Sequence, residues 1–230
     1  MPSDLYGDLI ICEPVGRLIR RAKVINDSGR IVVQNAYEKN EFIRATDPNF
    51  RPINSATGPD GCLYLVDMYR GIIQEGNWVR QGSYLREVVK EYELDRNMGR
   101  GRIFRVDHET TKRGPLPRML DETPAELVAH LSHPNGWWRS EAQKLIILHG
   151  DKSVVPALEK LARDGKNPLG RLHALWTLEG LDAVDSKLLS EKFEDTDPRL
   201  RSAAVRISES VMDKDRSLDG AIAKLTTDND

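Results

Sequence analysis

Two arginines, an asparagine, an aspartate and a tyrosine gather at Arg51, Asn54, Asp67, Tyr69 and Arg70, on either side of a turn written Pro59-Asp60-Gly61. These residue types recognise and orient polar ligands. A guanidinium offers a planar fork of donors matched to carboxylates. A carboxylate can orient that fork, act as a general base, or bind a hard cation such as Ca²⁺. In the functional reading Asp67 and Arg70 carry the chemistry while Arg51, Asn54 and Tyr69 hold a ligand. In the structural reading Asp67 and Arg70 are an ion pair that ties one sheet to the next. Arg100 and Arg102, within GRGRIF, are further candidates, with Arg102 assigned to ligand binding. Their flanking glycines either let a ligand approach or mark where a strand begins.

Other chemistry-bearing residues carry less. His130 and His133 stand three apart at a helix end with no third ligand nearby, and His133 precedes a proline, where helices stop. No metal site is expected from them. Trp137 and Trp138 suit either an exposed aromatic anchor or, more simply, packing of the first helical repeat against the sheet half. Cys12 and Cys62 form neither CxxC nor CxxCH and read as buried free thiols. GRGR lacks the spacing and following helix of a phosphate loop, and neither GxSxG nor a Cys/His dyad signature occurs.

The elements that position these residues change character along the chain. DLIICEP, RLIRRAKVI and IVVQNAY read as strands, with turn residues NDSGR between the second and third. RPINSATG and CLYLVDMY repeat the plan around the 59–61 turn, where proline presets φ and glycine accepts a positive one. SYLREVVKEYELDRN reads as a short exposed helix and GRIFRVD as a last strand. Short antiparallel strands at this spacing predict propeller blades over residues 1–109. Residues 110–122 read as a linker. Over 123–225 the period becomes helical: Arg139, Arg171 and Arg201 recur at intervals of 32 and 30 residues, each followed three positions later by alanine. That period predicts a HEAT-like solenoid, with a proline near each helix start and an arginine–acid ladder between repeats. The fold class is therefore α+β in two segments, a partial propeller and then an α-helical array.

Thirty-four basic against thirty-six acidic residues give a formal charge of -2, so no global pull toward nucleic acid is expected. No apolar run approaches the roughly 20 residues of a membrane span. MPSDLYGDLIICEPVGRLIRR lacks the basic and apolar regions of a signal peptide.

The first 118 residues hold two to three blades at about 40–45 residues each, whereas a closed propeller needs about four to eight. Further blades are expected as partners from a longer chain. FIRATDPNFRPINSATGPDGCLYLVDMYRGIIQ with GRGRIFRVD resembles the last propeller blades of large membrane-bound dehydrogenases of planctomycete-type and verrucomicrobial bacteria, and YGDLIICEPVGRLIRR is similar to their preceding blade. That resemblance implies a propeller like that of quinone-dependent sugar dehydrogenases, then HEAT repeats, in the periplasm or cell envelope. It further implies oxidation of sugars or alcohols with pyrroloquinoline quinone and Ca²⁺, Arg51 and Arg70 holding anionic groups and Asp67 orienting them or binding Ca²⁺. Haem is not implied, because CxxCH is missing. The other expectation is a scaffold without chemistry of its own, whose solenoid recruits a protein partner.

Overall fold

A computed structural model describes residues 2–27, 30–73, 79–213 and 215–228. The chain divides into two compact units, residues up to Pro115 and residues from Leu116 onward. The first carries antiparallel sheets and the second is helical, so the α+β expectation holds at that level; no closed barrel occurs among the described residues.

In the first unit, β1 (Leu9–Glu13), β2 (Leu18–Asp27) and β3 (Arg30–Asn35) form a meander. Ser28 and Gly29 of the expected NDSGR turn lie outside the described residues. β4 (Ile43–Arg44), too short to show a strand period, pairs with Leu18 and Ile19. The second sheet runs β5 (Pro52–Thr57), β6 (Leu63–Asp67), β7 (Arg102–Val106). Alternation sets what each strand buries. Ile10, Cys12 and Ile19 from one sheet meet Leu63 and Leu65 from the other, and Phe50 from the loop before β5, in a small core, and the Ser55 hydroxyl reaches Ile10 O at 3.4 Å. The thiols of Cys12 and Cys62 are free, and burial pushes both pKa values up. Helix α1 (Tyr84–Glu91) starts on a Ser83 cap and is not wholly exposed: Val89 is buried, as is Leu94 just beyond it.

On the opposite face of the first sheet, beside Arg20, Asn26, Asn35 and the buried Ala22, a group of apolar side chains stands exposed. Leu9 and Ile11 on β1, Val24 on β2, and Ile31 and Val33 on β3 share that face by register, and each remains exposed.

The second unit contains α2 (Pro124–His130), α3 (Gly136–His149), α4 (Val155–Asp164), α5 (Pro168–Gly180), α6 (Ser186–Phe193), α7 (Pro198–Ser208) and α8 (Asp219–Leu225). α3, α5 and α7 pack in succession as one layer, with α2, α4, α6 and α8 as the other. Leu127, Leu131, Ile146, Leu158, Leu175 and Leu189 are among the fully buried side chains between them.

The loops before α3, α5 and α7 repeat one chemistry. Asn135, Asn167 and Asp197 cap the helices, each accepting from the backbone N–H two residues on at 3.0 Å. Four residues after each cap, Arg139, Arg171 and Arg201 donate back to His133 O, Gly165 O and Asp195 O at 2.6, 3.1 and 3.0 Å. Aligned by caps, Pro134 does not match Pro168 and Pro198. These two occupy the first helical position, whereas Pro134 precedes the cap of α3, so the expectation of a proline at every helix start is corrected. The arginine–acid ladder is complete at two rungs. Arg171 meets Asp195 at 2.8 Å and Arg201 meets Asp228 at 2.7 Å. Gly165 stands where Asp195 stands one repeat later, and Arg139 has no acid; its Nε is buried without a partner, and burial pulls its pKa down.

Candidate functional site

Asp67 closes β6 and is fully buried. Its register partners are Pro52 and Arg102, and a bulge between Pro52 and Asn54 turns β5 just after Arg51. The carboxylate is a junction. Asp67 Oδ1 accepts from the backbone N–H of Arg51 and of Tyr69, both at 2.8 Å, and Oδ2 accepts from Arg102 Nε at 3.0 Å. The bond to Tyr69 closes an Asx turn, which tolerates the left-handed backbone of Tyr69 (φ 48).

Tyr69 is gripped twice more. Arg102 lies flat over its ring at 3.7 Å from the centroid, and Asn97 Nδ2 donates to its carbonyl at 3.1 Å. Arg102 also reaches Phe104 at 4.9 Å and Asp47 at 3.6 Å. Arg51 points the other way. Its Nε donates to Arg70 O at 2.7 Å and its Nη2 to Gly71 O, which Arg17 reaches too. Gly71 is required here, since a Cβ would lie 2.5 Å from Leu94 Cβ and 2.9 Å from Leu94 Cα.

The structure therefore brings Arg51, Asp67, Tyr69 and Arg102 into one network, through backbone atoms as much as side chains. The Asp67–Arg70 ion pair of the structural reading does not form; Asp67 takes Arg102 instead, because Asp67 and Arg102 face each other across the β6–β7 ladder. Asn54 sits elsewhere. It is exposed on the other face of the sheet, in register with Val66 and Ile103, and its Oδ1 accepts from Ser55 N at 2.7 Å. Arg100 is exposed between Gly99, whose φ is 70, and Gly101.

Arg70 emerges on an open cleft of about 580 Å³. Val66, Met68, Met98 and Ile103 give this cleft its apolar lining, and Arg70, Asn97, Asp67 and Arg102 its polar lining. Among the described residues nothing receives the Arg70 guanidinium, and Asn97 Oδ1 is buried without a donor. A cation beside apolar side chains in one cleft can hold an amphipathic anion. Asp67 has no such freedom, since its oxygens already accept from N–H donors. Asn97, Asp47 and the two methionines were not singled out from sequence. NMGRGR marks their loop, but only folding puts Asn97 beneath Tyr69.

A second polar cluster surrounds the 59–61 turn. Burial pushes the Asp60 carboxyl up, but bonds from Cys62 N and the Tyr64 hydroxyl, with Arg105 beyond, outweigh it and leave its pKa below the usual range. In the helical unit His130 pairs with Glu122 at 2.7 Å, and His133 Nδ1 accepts from Asn135 N at 3.0 Å. Both rings lie 5.1 Å from the buried Trp138, so these histidines build packing. No group of three His, Cys, Asp or Glu residues among the described residues is placed to hold a metal ion, and no described helix is long and apolar enough to cross a membrane.

Among known proteins, residues 1–110 are similar to a family described as a domain of unknown function, DUF7133. No curated protein and no solved structure matches the chain.

Proposed function

We propose that this chain is a binding platform: terminal blades of a β-propeller followed by a HEAT-like array, working within a larger oxidoreductase of the dehydrogenase type its sequence resembles. The uncovered face of Leu9, Ile11, Val24, Ile31 and Val33 carries the reading. Five apolar side chains on one side of a sheet form a surface that a further sheet would cover, as the other side is covered by Phe50, Leu63 and Leu65. The alternating helix layers and the repeated cap-and-arginine loops support the HEAT-like assignment. Placement in the periplasm or cell envelope follows the same resemblance.

The residues here do not fit the quinone and Ca²⁺ that the resemblance implies. Asp67 spends its oxygens on Arg51 N, Tyr69 N and Arg102, leaving no ligand set for a hard cation. Arg51 donates to the carbonyls of Arg70 and Gly71 and Arg102 to Asp67, so of the candidate arginines only Arg70 and the exposed Arg100 are open to an anion among the described residues. The part played by this chain is therefore binding and support.

Dye reduction across a panel of sugars and alcohols, with pyrroloquinoline quinone and Ca²⁺ added, tests the reading. No turnover by these 230 residues, and turnover by the natural polypeptide that contains them, are expected. Turnover by the 230 residues themselves would overturn the platform reading. No turnover by either would remove the oxidoreductase half of the reading.

A further inference from the structure

The cleft beside β6 and β7 is a concave site whose one open charge is positive. Its volume of about 580 Å³ falls in the range of small-molecule sites, roughly 300–1,000 Å³. Its chemistry is divided. Val66 and Ile103, neighbours across the ladder, form an apolar wall, and Met68 and Met98 add two thioethers, groups that adapt in shape and favour aromatic ring edges. Arg70 supplies the cation.

The charge balance makes Arg70 distinct from Arg51 and Arg102. Arg102 is neutralised by Asp67 and Asp47, and the Arg51 guanidinium is turned to backbone carbonyls. Arg70 has neither kind of partner among the described residues. Its backbone is nonetheless fixed: Arg51 holds its carbonyl, and the residue before it is clamped by Asp67, Asn97 and Arg102. A mobile surface arginine would lose side-chain and backbone freedom on binding an anion. Here the backbone part of that cost is already met by folding.

We propose that this cleft binds an aromatic monocarboxylate, its carboxylate on the Arg70 guanidinium and its ring against Met68, Met98, Val66 and Ile103. The inference goes beyond the platform reading and stands or falls separately from it, because it concerns one sheet and one side chain. A planar carboxylate suits the guanidinium fork, and the apolar slot next to it excludes small hydrated anions, which would leave the walls wetted.

Phenylacetate, phenylacetamide and acetate are the probes, followed by amide chemical shifts of the 230-residue chain. Phenylacetate is expected to shift Val66 to Arg70 and Met98 to Ile103 saturably. Phenylacetamide and acetate should each bind at least about tenfold more weakly, one lacking the charge and the other the ring. Arg70→Gln should weaken phenylacetate at least about tenfold and leave phenylacetamide unchanged; its fold is safe because the backbone carbonyl, not the side chain, makes the internal bond. Ile103→Asp, at a position 68% exposed, should weaken both aromatic probes. Equal affinity for acid and amide, full affinity in Arg70→Gln, or no saturable shift in the cleft would overturn the proposal.

Discussion

Arg102 Nε donates to Asp67 Oδ2 at 3.0 Å while the face of the same guanidinium covers the Tyr69 ring at 3.7 Å. One side chain thus joins the end of β6 to the residue that leads into Arg70. Asp67 completes the arrangement from beneath, through the N–H groups of Arg51 and Tyr69. Its place is that of a positioning residue, and its removal should be felt first as lost stability.

Asp67→Ala strips an acceptor from two N–H groups, and should cost about 2–4 kcal/mol. Arg102, 41% exposed, can turn to water and softens the loss. Asp67→Asn keeps one oxygen for those N–H groups and should cost about 1 kcal/mol. Urea unfolding followed by circular dichroism separates the two. Equal stabilities of wild type and Asp67→Ala would remove the junction role.

Gly71→Ala places a methyl group inside contact distance of Leu94 Cα and Cβ and should cost about 1–3 kcal/mol. Because Gly71 O also receives Arg51 and Arg17, the same variant should broaden the amide signals of residues 70–73. Native stability with unaltered signals would show that this turn has slack.

In the helical unit, Asp195 faces Arg171 and Lys192 with its side chain only 7% exposed. Asp195→Ala leaves Lys192 buried and unpaired and should cost about 3–5 kcal/mol. Asp228→Ala, at the rung whose acid is 24% exposed, should cost less than about 1 kcal/mol. Thermal melts of the two variants check the contrast, and a reversed order would contradict the ladder.

Burial, helped by the charge of Arg139, holds the His173 pKa below its usual 6.5, and burial does the same for His133. The unfolded chain therefore binds more protons between those lowered values and 6.5. The stability these neutral rings contribute is full above 6.5 and is lost as pH falls below it. The melting temperature of the helical unit should drop from pH 7 toward pH 5, and His173→Gln should flatten that slope. An unchanged slope in His173→Gln would exclude His173 as a source.

Much of this was legible in the sequence because it depends on local pattern. The alternation of β1, β2, β3, β5, β6 and β7, the turn at Pro59-Asp60-Gly61 and the spacing of Arg139, Arg171 and Arg201 follow from side-chain periodicity and backbone chemistry. What was not legible depends on register. That Asp67 faces Arg102 and not Arg70 is set by the β6–β7 register, and that Asn54 lies on the opposite face by the bulge after Pro52, neither of which any residue type announces. Arg139 looked like its two counterparts until the caps were aligned, because the acid it lacks belongs to another loop.

The central claim is that the face of Leu9, Ile11, Val24, Ile31 and Val33 is covered by a further sheet in the natural polypeptide. Val33→Cys tests it through its rate of labelling by a thiol reagent, with the labelled site identified by mass spectrometry to set aside Cys12 and Cys62. Rapid labelling in the 230-residue chain, slowed at least about a hundredfold in the natural polypeptide, is the predicted result. Equal rates in both would contradict it.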